Sequence, residues 1–252
     1  MTATSQGRIR RAALVTATCA LVVTGTVALA GCSSEDPDAG TNGVGKLAPE
    51  KIQSTTKAAA GSVDAVRLSG TVVTSGHSYR LDMRLKPDGG TGSVTSEGTT
   101  FHVLRIGEKL YLKADAEFWS HADGTGHKDG DAAAADKLDG KYVKVPQGDP
   151  AYKKFSGFTD KAVLLDGLLT LHGKLATDGH HEQSGTRVIR ITGDDGSGGT
   201  LDVSLEGKPY PLRLVRGGGA GTLSFSDWGK DFAVTQPAKD ETVDYGQQLP
   251  TS

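Results

Sequence analysis

The run Tyr79-Arg80-Leu81-Asp82-Met83-Arg84-Leu85-Lys86 alternates apolar and charged residues without a fault. A period of two places every apolar side chain on one face of an extended chain and every charge on the other, the pattern of a half-buried β-strand. Leu201-Asp202-Val203-Ser204-Leu205-Glu206 repeats it, and weaker alternation marks 65–74, 99–106, 109–113, 141–145, 186–192, 210–216, 221–226 and 231–236. Between these runs lie Pro87-Asp88-Gly89-Gly90, Asp194-Asp195-Gly196 and Gly217-Gly218-Gly219, turn chemistry that suits hairpins. The expected fold is mainly β within the α+β class, a curved antiparallel sheet of about 8–11 strands in meander order.

Two segments read as helices. Pro49 to about Ser62 opens with proline in the first turn and carries Ile52, Ala59 and Val63 on one face, which fits a helix start. The second runs through Phe155, Phe158, Ala162, Leu165 and Leu169, with Leu164, Leu168 and Leu171 widening the stripe. Gly157 is expected to break it, and Thr159 to cap the part ending at Gly173. His172 then falls at the helix end, where the dipole favours a cation. A stripe this wide must be largely covered.

The N-terminus carries addressing information. Arg8, Arg10 and Arg11 precede an uncharged stretch from Ala12 to Ala30, closed by Leu29-Ala30-Gly31-Cys32. A basic start, an apolar middle and small residues at the end describe a signal peptide over residues 1–31. The threonines and Gly25 inside the stretch, with no basic stop after Cys32, argue against a spanning helix. A cysteine directly after Leu-Ala-Gly resembles the lipobox of bacterial lipoproteins. That resemblance implies a diacylglycerol, with acyl chains such as palmitate, on the Cys32 thiol. Arg10-Arg11 lacks the apolar follower of twin-arginine export, so general secretion is expected.

Of the two cysteines, Cys19 leaves with the leader and Cys32 is acylated. No thiol then remains for a disulfide, a thiolate metal site or a nucleophile. Removing the leader leaves 25 basic against 30 acidic residues, a net charge near −5. That balance argues against nucleic acid or anionic headgroups as the main partner. Ser33 to Leu47 is Ser, Asp, Gly, Thr and Pro with little to bury. Residues 32–48 are therefore expected as the lipidated cysteine and a flexible tether, spanning roughly 20–24 Å r.m.s.. Residues 123–136, rich in Asp, Gly, Ala and His, read as an exposed loop.

The folded part is expected over 49–246, with a short tail at 247–252. It carries Gly107-Glu108-Lys109-Leu110-Tyr111-Leu112-Lys113, Phe118-Trp119, and Lys141-Tyr142-Val143-Lys144-Val145-Pro146. Gly207-Lys208-Pro209-Tyr210-Pro211-Leu212-Arg213 and Gly221-Thr222-Leu223-Ser224-Phe225-Ser226-Asp227-Trp228 follow. In this order the segments resemble the LppX/LprG-type lipoproteins of actinobacteria, which share the half-barrel of the LolA carriers. The resemblance implies an open half-barrel wrapped around two or three helices, enclosing an apolar cavity for acyl chains of lipids or lipoglycans. The insert at 123–136 has no place in that pattern. The prolines at 209 and 211 require their strand to begin, or lie at an edge, there.

A curled sheet that does not close leaves room under a covering helix, and a preformed apolar pocket suits an acyl chain. The candidate lining residues are Leu81 and Met83 from the sheet and Leu164 and Leu168 from the helix. Alternation alone fits a filled interior equally well.

Chemistry is thinly represented. No G-x-S-x-G elbow, H-E-x-x-H, P-loop or strand-to-helix G-x-G-x-x-G occurs, so no enzyme and no cofactor is expected. His121 and His127 lie near Asp123, Asp129 and Asp131, but the spacing misses a calcium loop. His180-His181-Glu182 is expected in a polar turn, and adjacent histidines diverge too far for one ion. His102 is expected on a strand surface. No metal site is expected.

The reading is an exported lipoprotein at the outer face of the cytoplasmic membrane, held by its lipid anchor and binding a lipid or other amphiphile. The alternative is an envelope protein-interaction or sensor-accessory module with no internal ligand.

Overall fold

The computed structural model describes residues 36–74, 76–121 and 135–244. Twelve strands form one curved, unclosed sheet. In chain order they are β1 (Val66–Thr74), β2 (His77–Lys86), β3 (Gly89–Ser96), β4 (Thr99–Ile106), β5 (Lys109–Ala114), β6 (Tyr142–Val145), β7 (Leu175–Gln183), β8 (Thr186–Gly193), β9 (Thr200–Ser204), β10 (Pro211–Val215), β11 (Gly221–Ser226) and β12 (Thr242–Asp244). Their order across the sheet is β12-β6-β5-β4-β3-β2-β1-β11-β10-β9-β8-β7. Neighbours are antiparallel except β12 on β6, which is parallel. Among the described residues the helices are α1 (Pro49–Ser62), α2 (Ala116–His121), α3 (Pro150–Ser156) and α4 (Lys161–Leu168), with a further helical turn at 135–138.

The alternating run is β2, with Leu81, Met83 and Leu85 buried and Arg80, Asp82 and Arg84 exposed. The register carries the apolar row across the sheet: Leu81 pairs with Val94 and Val94 with Phe101. These inner rows and the helices share one apolar core. Pro211 opens β10, as a residue without an N–H must, and a register shift follows between Pro211 and Arg213.

The strand count exceeds the expected 8–11 because β3, β7 and β12 carry little alternation. β3 has glycine at 89, 90 and 92 and only Val94 as a large apolar residue. β7 holds His180-His181-Glu182, expected in a turn; as the outermost strand with mostly exposed residues, it needs no apolar face. In the other direction, 231–236 is irregular rather than a strand.

The helices also differ from expectation in detail. The buried positions of α1 are Ile52, Thr56 and Ala60, not Ile52, Ala59 and Val63, so the stripe runs strictly every four residues through a threonine. The leucine-rich stretch divides as expected at Gly157. However, the cap of α4 is Asp160, whose carboxylate accepts from the Val163 N–H. Thr159 is fully buried, its hydroxyl donating to the Ser156 carbonyl and accepting from Arg105 Nε. The helix ends at Leu168, leaving His172 outside it, its N–H bonded to the Gly198 carbonyl.

Part of the expected tether is packed. Val44 is buried at 3% exposure, the Asn42 N–H donates to the Leu205 carbonyl, and Asn42 Nδ2 donates to the Ser204 carbonyl. Arg187 donates to the carbonyls of Ala39 and Gly40, and His180 meets Asp38 at 3.0 Å. Composition averages over the segment and misses a single valine with a socket. The expected loop 123–136 likewise overlaps a helical turn at 135–138, where Ala135 and Leu138 are buried.

Candidate functional site

The inner face of the sheet opposite α3 and α4 is where the candidate lining residues meet. Met83 has no exposed surface, Leu81 is buried beside it on β2, and Leu168 is buried on α4. Leu164 is half-buried against the same core. The sheet and the helix thus bring all four into one apolar cluster. Cys32, His127 and the carboxylates at Asp123, Asp129 and Asp131 lie outside the described residues.

The local sequence of β3 shapes this region. Its inner positions 90 and 92 are glycine, so bare backbone faces the interior there. A Cβ at Gly92 would press on the Asp82 carbonyl and stand 2.5 Å from the Met83 sulfur; one at Gly90 would stand 2.9 Å from a Leu85 methyl. Met83 and Leu85 therefore occupy the room that side chains on β3 would otherwise fill. The opposite wall is looser: Phe155 on α3 and Leu168 on α4 retain 9% and 8% exposure, and Phe158 between the helices is half-buried.

An aromatic cluster adjoins it, drawn from β4, α2 and α3. Phe101 lies 5.2 Å from Phe118 and 5.1 Å from Phe155 between ring centroids, and Phe118 meets Trp119 edge-on at 5.0 Å. Separations of this kind are favourable beyond the area they bury. Trp119 is buried, yet among the described residues its indole N–H has no acceptor, and the Thr56 hydroxyl on α1 is likewise buried without a partner. Buried polar groups are seldom left unmade. Sequence patterning missed both, because neither a lone threonine nor one Trp in an aromatic pair announces its burial.

Charge inside the fold is sparse. Lys161 is buried, its Nζ donating to the carbonyls of Ala60 at 3.2 Å and Gly61 at 3.3 Å, and burial holds its pKa below the ordinary value. Arg105, on the inner face of β4, donates to the Thr159 carbonyl and the Gly107 carbonyl. Both cations serve backbone carbonyls at helix and turn ends. Among the described residues no three potential metal ligands converge, and no helix is long and apolar enough to cross a membrane. His102 is exposed on β4, as expected.

No protein-family model matches the chain. No curated protein matches it either. Solved structures do. The chain superposes on LprF from Mycobacterium bovis with a TM-score of 0.52 at 14% identity, over 76% of this chain and 100% of that one. The Mycobacterium tuberculosis lipoprotein LppX gives a TM-score of 0.43 at 15% identity, over 74% and 99%. The fold of this chain is that of LprF, the fold of the LppX/LprG-type lipoproteins.

Proposed function

We propose that this chain is an exported, non-enzymatic lipoprotein that is anchored through Cys32 at the outer face of the cytoplasmic membrane and carries an acylated amphiphile in its concave interior. The observation that carries the reading is the glycine-bared inner face of β3, filled by Met83 and Leu85 under two short helices. A thioether side chain has several low-energy conformations. Swinging Met83 aside, with α3 and α4 lifting at the Gly157 break, opens an apolar groove between Leu81 and Met83 below and Leu164 and Leu168 above. Each methylene buried there contributes roughly 0.8 kcal/mol, so one long acyl chain offsets the cost of opening. The unpartnered Trp119 N–H beside the aromatic cluster offers a donor for an ester or carboxyl oxygen of the ligand.

The packed N-terminal segment changes how such a domain would be held. Cys32 lies four residues before Asp36, and an extended chain of that length reaches about 14 Å at most. A lipidated form would keep the domain close to the bilayer instead of swinging on a long tether.

A second reading, a module that binds an envelope protein and holds no ligand, is favoured by one fact: Met83 and Leu85 have no accessible surface, so this form is already filled. The anchor is tested by Cys32→Ser, which should abolish fatty-acid labelling and leave either released protein or unprocessed precursor. A variant that still labels and still fractionates with membranes as mature protein would contradict the anchor.

A further inference from the structure

The outer face of the sheet carries a built cleft that neither the anchor nor the apolar interior uses. It measures about 160 Å³ and is lined by Val66, Arg67, Arg84, Asp227, Lys230, Asp231 and Phe232. One side is β1 and β2; the other is the irregular segment that follows β11. That segment is pinned in place: the Gly229 N–H donates to the Ala65 carbonyl, and Trp228 Nε1 donates to the Pro211 carbonyl at 3.1 Å. Asp227 adopts a left-handed backbone with φ 53° to make the turn, a conformation that costs a non-glycine residue energy and recurs at functional sites.

Register places Arg67 directly opposite Arg84 on the outer face. Like charges in that position are unfavourable unless something lies between them. Arg67 is committed to Asp82 by two hydrogen bonds of 2.9 and 2.7 Å. Lys230 meets Asp227 at 2.7 Å, and Lys86 meets Asp231 while lying 4.8 Å from the centre of the Phe232 ring. These pairings consume every carboxylate at the cleft. Among the described residues the Arg84 side chain makes no hydrogen bond or close ion pair. After the hydrogen bonds from Lys230 and Arg67, its charge helps hold the Asp227 and Asp82 carboxyls below their ordinary pKa from farther off. With Arg67, Lys86 and Lys230 set against Asp82, Asp227 and Asp231, the cleft carries one positive charge in excess.

We infer that this cleft binds a phosphate group, with Arg84 as its forked donor, Arg67 and Lys230 flanking it, and Phe232 as the apolar wall. A planar guanidinium matches an oxyanion in bidentate geometry, and among the described residues Arg84 is the cleft cation whose donors are not already committed to a carboxylate. Two sources of phosphate fit, a lipid headgroup or a free phosphate. Geometry bears on the first. The N-terminal segment docks where β9 ends, and Asp227 follows the end of β11. Both strands run antiparallel to β10, so segment and cleft share one end of the sheet. The site stands independently of the acyl-chain reading, since it lies on the opposite face.

The test uses the full chain, in non-ionic detergent with inorganic phosphate as one probe and, after the detergent is removed, with phosphatidylcholine vesicles containing or lacking phosphatidylglycerol as the other. Arg84→Gln is compared with Arg80→Gln, which removes the same charge from the same exposed face of β2 outside the cleft. A charge-assisted bidentate pair corresponds to a loss of about tenfold or more in Arg84→Gln, against less than about twofold in Arg80→Gln. Side-chain NMR of the arginine Nε–H groups reads phosphate, and flotation reads vesicles. Arg84-dependent binding of phosphate itself identifies a free-phosphate site; Arg84-dependent binding of the anionic vesicles alone identifies a headgroup site. Equal losses in the two variants, or no binding of either probe, overturn the inference.

Discussion

Lys161 shows how one side chain ties a helix start to a helix end. Its stem is buried at the opening of α4 and its Nζ reaches the last carbonyls of α1, the negative end of that helix dipole. Desolvation pushes its pKa below the ordinary 10.5, partly opposed by Asp64. The consequence for stability has a definite sign. Between the lowered folded value and 10.5 the unfolded chain binds more protons, so stability should rise with pH in that window. Lys161→Met keeps the stem and removes the proton; the difference in melting temperature between wild type and variant should shrink below the window and widen in favour of wild type through it. A difference that does not change with pH would mean that Lys161 is not desolvated. Alternation along β2 was enough to assign Leu81, Met83 and Leu85 to the interior from sequence. Lys161 and Thr56 were not legible, since a charged and a hydroxyl residue are buried here only because specific carbonyls or a tight helix–sheet contact receive them.

At the scale of elements, α1 and the well-patterned strands appear where periodicity placed them, to within a residue or two. The losses share a cause: β3 and β7 are strands because their neighbours are, through cross-strand hydrogen bonds that leave no mark on composition. The glycines of β3 read as a turn, although positions 90 and 92 are bare to accommodate Leu85 and Met83 from the next strand. The segment from Asp36 to Leu47 is the same case, docked through Val44, Asn42 and the Asp38–His180 contact. It should contribute measurably to stability. Val44→Ala removes two buried methyl groups, costing about 1.6 kcal/mol, which in a domain of this size lowers the melting temperature by about 3–6 °C. Thermal denaturation checks it; no change would show that residues 36–47 rest on the surface without holding it.

For the whole molecule, the sheet is closed on neither edge and presents two distinct faces. The concave face is apolar and filled by its own side chains, with its loosest cover at α3 and α4. The convex face is charged, and its excess guanidinium lies at the end where the N-terminal segment docks. The family resemblance of scattered strand motifs reached this fold from sequence, and the structural likeness to LprF bears it out. Whether the interior yields to a ligand was never readable from alternation, because a filled and an openable half-barrel need the same apolar residues at the same positions. Leu168 decides between them. It is the last residue of α4, buried yet still 8% exposed. In an interior that opens, a tryptophan there occupies the ligand's place while the domain stays folded. In a permanently filled core the same change overpacks the interior and costs about 1–3 kcal/mol. The measurement is native mass spectrometry of wild type and Leu168→Trp, released from detergent, with melting temperatures taken in parallel. The account predicts acylated species on the wild type and a folded, empty variant. A wild type without bound lipid and a strongly destabilised Leu168→Trp would contradict it.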